Sequence, residues 1–233
     1  MKDLLKTLKS TMNNTPPEYC EGTDKYAVLI DPGHGGVIDG KYVTAPNKMA
    51  IHDGWEFWEG LYNRALAWYF AYLLFLDRRK YAILVPGNLD ISLRVRVNRA
   101  NMLAKNPILN GAKVYLHSIH GNYFGLRSVN GVEVYTSPGY TPSDPIATIY
   151  FEELTKLGWN MRAGFNEDLQ NDPDKEAKFT ILTDTNMPAI LTETGFYSNP
   201  EQARNMCDPY IIYRIATLFR NAHAKVCTLN LVP

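Results

Sequence analysis

The chain has 233 residues, enough for one sizeable α/β domain or at most two small ones. Hydrophobic residues make up 45% and charged residues 21%, which excludes global disorder. Lys plus Arg equals Asp plus Glu at 24 each, so the basic excess that neutralises phosphates is missing and no nucleic-acid partner is expected.

The N-terminus, MKDLLKTLKSTMNNTPPEYC, lacks an apolar stretch long enough for a signal peptide. Leu4, Leu5 and Leu8 predict a short amphipathic helix there, ending before Pro16 and Pro17. Residues 1–24 read as an extension, 25–227 as one domain and 228–233 as a tail. Val28, Leu29 and Ile30 predict a strand buried on both faces, stopped by Asp31, Pro32 and Gly33. His34 follows, with Gly35 and Gly36 expected to leave open space beside its ring. A glycine- and aromatic-rich loop is expected from Val37 to Trp58, then a helix from Glu59 to Arg79. The apolar run Ala65–Leu76 is closed by Arg64 and Asp77, well short of the ~20 residues of a membrane span. No stable membrane insertion is expected of it.

Further on, Ala82–Val85 predicts a strand and Ser92–Lys105 a helix with Ser92 as N-cap. Strands are expected at Val114–Ser118 and Val132–Tyr135, and a helix from Pro145 to Leu157 that stops at Gly158. The polar segment Asn166–Lys178 reads as a loop or lid. Phe179–Leu182 and Ala189–Thr192 complete the strands, and Asp208–Lys225 is a closing helix. Strands alternating with helices predict a single α/β domain: a mostly parallel, twisted sheet of about six strands, helices on both faces. Cys20, Cys207 and Cys227 show no CxxC spacing and read as free thiols.

In such sheets ligands bind beyond the carboxyl ends of the strands. His34, His120 and Glu193 each follow or end a predicted strand, and Glu59 opens the first long helix, where a carboxylate is favoured. Two imidazoles and a carboxylate are a ligand set for a catalytic zinc, with a further glutamate as proton shuttle. Glu56 lies three residues before Glu59, so spacing leaves open which of them would bind metal.

Five ordered motifs carry a resemblance: IDPGHGG, the E-x-x-x-N of Glu59 to Asn63, SIHGN, GVEVY and NMPAILTETGFYSNPEQ. Together with SLRVRVNRAN they resemble the zinc-dependent N-acetylmuramoyl-L-alanine amidases of the amidase-3 type, from Val28 to about Phe219. The resemblance implies that His34, Glu59 and His120 hold Zn2+ and that Glu193 is the catalytic glutamate. It implies hydrolysis of the amide between N-acetylmuramic acid and L-alanine, with peptidoglycan as the partner; separately, the chain is expected to be a monomer. A peptidase cutting within the stem peptide, or a wall-binding or virion module without catalysis, is the alternative. The absence of an export signal suits a phage endolysin, moving from host cytoplasm to periplasm and cell wall, with a site open without an activator; a secreted protein that has lost its signal is the alternative.

Other candidates have plainer readings. Trp55, Trp58 and Asn122 are expected to meet substrate, although core packing is the commoner fate of such rings. His117 is expected to face away from His120 and to be structural. His52 reads as a surface histidine and His223 as solvated. Arg96 and Arg99 read as forming salt bridges or covering apolar surface with their stems, and Glu133 as a charge on the sheet edge.

Overall fold

The computed structural model describes residues 15–44, 48–109, 111–164 and 172–229. The helix expected around Leu4–Leu8 lies outside them. The strands are β1 (Tyr19–Cys20), β2 (Tyr26–Pro32), β3 (Val37–Ile38), β4 (Lys41–Tyr42), β5 (Met49–His52) and β6 (Trp55–Trp58). They continue with β7 (Tyr81–Ile83), β8 (Lys113–Asn122), β9 (Glu133–Thr136), β10 (Lys175–Glu176) and β11 (Ala189–Phe196). The helices are α1 (Glu59–Leu76), α2 (Leu93–Leu103), α3 (Asp144–Thr155), α4 (Thr180–Thr183), α5 (Pro200–Met206) and α6 (Pro209–Val226).

One seven-stranded sheet carries the fold, in the order β1-β7-β2-β8-β11-β9-β10. The pairings β7-β2, β2-β8, β8-β11 and β9-β10 are parallel, whereas β1-β7 and β11-β9 are antiparallel. The sheet is therefore mostly parallel, as expected, but wider by a strand and mixed. All seven residues of β2 are buried, which is what the continuous run of Val28–Ile30 anticipates for a strand covered on both faces. On one face a core of Phe70, Tyr115, Tyr150, Ile215 and Phe219 joins α1, α3 and α6 to the sheet. On the other, Val97, Ala100, Ile181 and Leu182 bring α2 and α4 against Leu29, Leu116 and Leu191. Ser92 caps α2 as predicted, its Oγ accepting from the Val95 amide at 3.4 Å.

Several expectations are corrected. Phe179–Leu182 is not a strand; it leads into the single turn of α4, with Ile181 and Leu182 buried. The segment 37–58 is not plain loop but two hairpins, β3-β4 and β5-β6. Each turns at an Asp-Gly pair, and Asp39, Gly40 and Gly54 have φ of 49°, 75° and 78°, as tight hairpin turns require. At the sheet edge, Tyr19 and Cys20 pair with Ala82 and Tyr81, so the end of the expected extension joins the sheet. The three cysteines are free thiols. Among the described residues no helix is long and apolar enough to cross a membrane.

Candidate metal centre

The site is built from the carboxyl end of β2 outward. Gly33 donates its amide to the Ile119 carbonyl at 2.9 Å, carrying the chain off the sheet beside β8. His34 then takes a left-handed backbone, φ 61°, which turns its ring across the strand ends. Two buried guanidiniums hold this turn. Arg96 pairs with Asp31 and donates to the Pro32 and His34 carbonyls at 2.8 and 2.9 Å. Arg64 donates to the Gly33, Gly60 and Gly87 carbonyls at 3.4, 3.1 and 3.1 Å. Asp31 also accepts from Ser118 at 2.8 Å, so its buried carboxylate is satisfied from both sides.

The glycines do not leave open space, contrary to expectation. A Cβ on Gly35 would stand 1.8 Å from the Val43 carbonyl oxygen, and one on Gly36 would stand 2.3 Å from Asn88 Oδ1. They let the turn pack against its neighbours. Gly33 does lie against a ligand: a Cβ there would sit 2.2 Å from Cε1 of His120.

Three side chains converge from three elements. Glu59 is the first residue of α1 and is buried; its Oε1 accepts from His34 Nε2 and from His120 Nδ1, each at 3.1 Å. The two imidazoles meet nearly edge to face, centroids 4.9 Å apart and planes at 86°. Each of the three offers a ligand atom within 4.8 Å of the other two. Asn63, one turn along the helix, donates to Glu59 Oε1 at 3.5 Å, and the Tyr197 hydroxyl donates to Oε2 at 3.1 Å. Burial opposes ionisation of Glu59, but the hydrogen bonds from His120 and His34 hold its carboxyl well below the usual range. Burial lowers the pKa of His34, which favours the neutral imidazole a metal requires. Two imidazole nitrogens and one carboxylate oxygen, with the rings 18% and 17% exposed, fit a divalent metal that keeps a position open.

Glu56 is exposed on β6 and accepts from Trp58 Nε1 at 2.9 Å, whereas Glu59 is the glutamate that stands with the two histidines. Glu193 lies on β11 directly beside His120 of β8 and Glu133 of β9. Its Oε2 is buried with no hydrogen-bond partner. Burial, then the charges of Glu59 and Glu133, push its carboxyl well above the usual range. Two threonines flank it, and both are used. Thr194 donates to the His120 carbonyl at 3.1 Å, and Thr192 shares a 2.9 Å hydrogen bond with His117 Nε2. His117 is fully buried on the other face of β8, structural as expected.

A cleft of about 460 Å3 opens beside the two histidines, lined by Lys48, Asp90, Ile91, Leu93 and Ile181 together with Asp31, Arg96 and Ser118. Trp55, Trp58 and Asn122 are not among its walls. Trp58 stacks on Tyr42 and Trp55 lies against His52, so both rings pack within the hairpin region. Asn122 donates to Glu133 Oε2 at 2.7 Å.

Three plainer readings are also corrected. Glu133 is not an edge charge: β9 lies between β11 and β10, and the buried carboxylate pairs with Arg162 and Lys175 at 2.9 and 2.6 Å. His52 is buried, with Nε2 2.9 Å from the Tyr197 carbonyl oxygen. His223 is fully buried and shares a 2.8 Å hydrogen bond with the Tyr115 hydroxyl, because its face of α6 packs on the sheet. Sequence reading missed Tyr197 as a support of Glu59, although it stands in the quoted GFYSN run.

Comparison with known proteins follows the same lines. The N-acetylmuramoyl-L-alanine amidase family, Amidase_3, matches residues 28–224. The amidase CwlM of Bacillus licheniformis is 30% identical over 214 residues, covering 87% of this chain and 69% of that protein. AmiA of Salmonella typhimurium is 23% identical over 244 residues, covering 93% and 81%. Among solved structures, Ami1 of Mycobacterium smegmatis superposes with a TM-score of 0.68 at 18% identity, covering 88% and 98%. The catalytic domain of CwlV from Bacillus (Paenibacillus) polymyxa gives 0.66 at 22%, covering 87% and 97%. Those identities speak for the fold, while the family match spans the elements that carry the site. The chain belongs to the N-acetylmuramoyl-L-alanine amidase family Amidase_3, and it is a peptidoglycan amidase.

Proposed function

We propose that the chain cleaves the amide between the lactyl group of N-acetylmuramic acid and L-alanine, with zinc held by His34 Nε2, Glu59 and His120 Nδ1. The observation that carries this is the convergence of those three donors, from the end of β2, the start of α1 and the end of β8, within 4.8 Å of one another. When bound there, zinc supplies Lewis-acid polarisation of the scissile carbonyl and brings the pKa of water toward neutrality.

The remaining work falls to the protein. Glu193 takes the proton of the attacking water at its unpartnered Oε2 and returns it to the leaving nitrogen, which departs as the free amine of L-alanine. Tyr197 and Asn63 hold the Glu59 carboxylate, and Thr194 holds the backbone of His120. The cleft lined by Ile91, Leu93 and Ile181, with Lys48 and Asp90, receives the stem peptide. Since both imidazoles keep part of their surface, 18% and 17%, accessible to solvent and a cleft opens beside them, the purified protein acts without an activator.

The test is mass spectrometry of purified sacculi digested with the zinc-loaded protein, with and without a chelator. Release of sugar-free peptides with new L-alanine amino termini, abolished by the chelator, is the expected result. Cleavage within the stem peptide, or unchanged muropeptides, overturns the reading. Glu193→Ala is expected to lower turnover by about 10²–10⁴-fold while zinc content stays at wild-type level; a variant with most of its activity removes Glu193 from the mechanism.

A further inference from the structure

We infer that Asp144, Asp172 and Asp174 form a calcium-binding site at the start of α3, apart from the histidine centre. One carboxylate oxygen from each lies within 4.8 Å of those of the other two, the spacing of oxygens around a single ion at 2.3–2.6 Å. Asp144 and Asp174 are 2% and 3% exposed. Their Oδ2 atoms are already engaged. That of Asp144 accepts the Thr141 amide and hydroxyl at 2.7 and 2.8 Å, and that of Asp174 accepts the Thr136 hydroxyl at 2.7 Å. These bonds fix the two carboxylates and leave the second oxygen of each over.

That second oxygen is what points to a ligand. Oδ1 of all three aspartates is buried and has no hydrogen-bond partner. None of the ion pairs between described residues involves any of the three. Buried carboxylates facing one another without a cation are costly. Burial and the neighbouring aspartates push the Asp174 carboxyl up to about 8, a measure of that cost. Position in the first turn of a helix relieves only a part of it. An all-oxygen set with three carboxylates suits Ca2+, which takes six to eight oxygens in flexible geometry, with water completing the shell. Mg2+ binds through one or two carboxylates and keeps its waters, and Zn2+ prefers nitrogen and sulfur.

The group next to His223 makes an instructive contrast. Asp24, His223 and Cys227 also lie within 4.8 Å, but Asp24 is paired with Arg79 and the Lys80 amide, and His223 with Tyr115. That network is complete without an ion. The aspartate trio is not.

The location predicts a role. Asp172 and Asp174 lead directly into β10, whose Lys175 pairs with Glu133, the neighbour of Glu193 in the sheet. A calcium ion would clamp this edge strand to α3.

The test uses the full zinc-loaded chain in calcium-free buffer, titrated with CaCl2 or MgCl2 by calorimetry and followed by thermal melting. Wild type is expected to bind one Ca2+ with Kd on the order of 10⁻⁴ M, as extracellular calcium modules do. At about 100 times that Kd, its Tm rises by roughly 5–10 °C. Asp172→Asn, at the half-buried position, and Asp174→Asn bind at least about tenfold more weakly. Both melt at or above wild type without calcium, because a repulsion is removed, and below it with calcium. That crossing separates loss of a site from general misfolding, and Asp172→Asn alone suffices if Asp174→Asn does not fold. No heat and no Tm shift in wild type, equal affinity in both variants, or equal binding of Mg2+ each overturns the assignment.

Discussion

At the scale of single residues, the centre depends on how Glu59 is held as well as on Glu59 being present. Its Oε1 is shared between two imidazoles 3.1 Å away, which works only if the second oxygen and the helix start are fixed. Tyr197 supplies that restraint from the far end of β11, through a ring stacked on Phe57 at 5.1 Å. Tyr197→Phe keeps the stacking and removes the hydroxyl donor. Zinc affinity is expected to fall about 10–100-fold, the usual effect of deleting a partner of a metal ligand. Competition with a chromogenic chelator measures it, and an unchanged Kd would show that Asn63 suffices. The histidines and Glu193 were legible in the sequence because each follows or ends a strand that the apolar runs predict. Tyr197 was not, because nothing local says that a tyrosine after β11 reaches the first turn of α1.

At the scale of elements, the join between the His34 turn and α1 leaves no room for a side chain. A Cβ on Gly60 would stand 1.8 Å from the Gly35 carbonyl oxygen, which is backbone and cannot swing aside. Gly60→Ala is therefore expected to destabilise the protein by roughly 1–3 kcal/mol or more and to weaken metal binding with it. Urea midpoints and zinc content measure both, and an unchanged midpoint would mean that the turn is pliable. Long elements were read correctly: α1, α2, α3 and α6 fall within a few residues of their expected limits. Short ones were not. Phe179–Leu182 has strand-like composition, yet a run of four residues is too short for a periodicity that separates a strand from a helical turn. The hairpins within 37–58 did carry a signal, the Asp-Gly pairs at 39–40 and 53–54, which the abundance of rings obscured.

At the scale of the whole molecule, the two cores on either side of the sheet make acid the natural way to unfold it. His117 is fully buried among Phe70, Tyr150 and Phe219, and burial pushes its pKa from 6.5 down to about 3. The unfolded chain takes up that proton near 6.5 while the folded chain does not, so stability falls as pH drops from about 6.5 toward 3. At about 1.4 kcal/mol per pH unit, roughly 2–3 kcal/mol is lost between pH 6.5 and 4.5 from this group alone. Urea unfolding at the two pH values checks it. A His117→Gln variant should show a flatter dependence, and an identical slope would assign the effect to other groups, His223 first among them.

From the sequence alone came the α/β class, the strand ends at which chemistry gathers, and the family resemblance of five spaced motifs. These are local facts: an apolar run followed by a turn and a histidine carries its meaning without reference to distant residues. The tertiary structure alone buried His52, His223 and Glu133, set Glu59 and not Glu56 against the two histidines, and gathered Asp144, Asp172 and Asp174 at one helix start. The physical reason is that burial and charge pairing are properties of what the rest of the chain folds against. Glu133 reads as a solvent-facing charge until Arg162 and Lys175 arrive from beyond α3 to meet it.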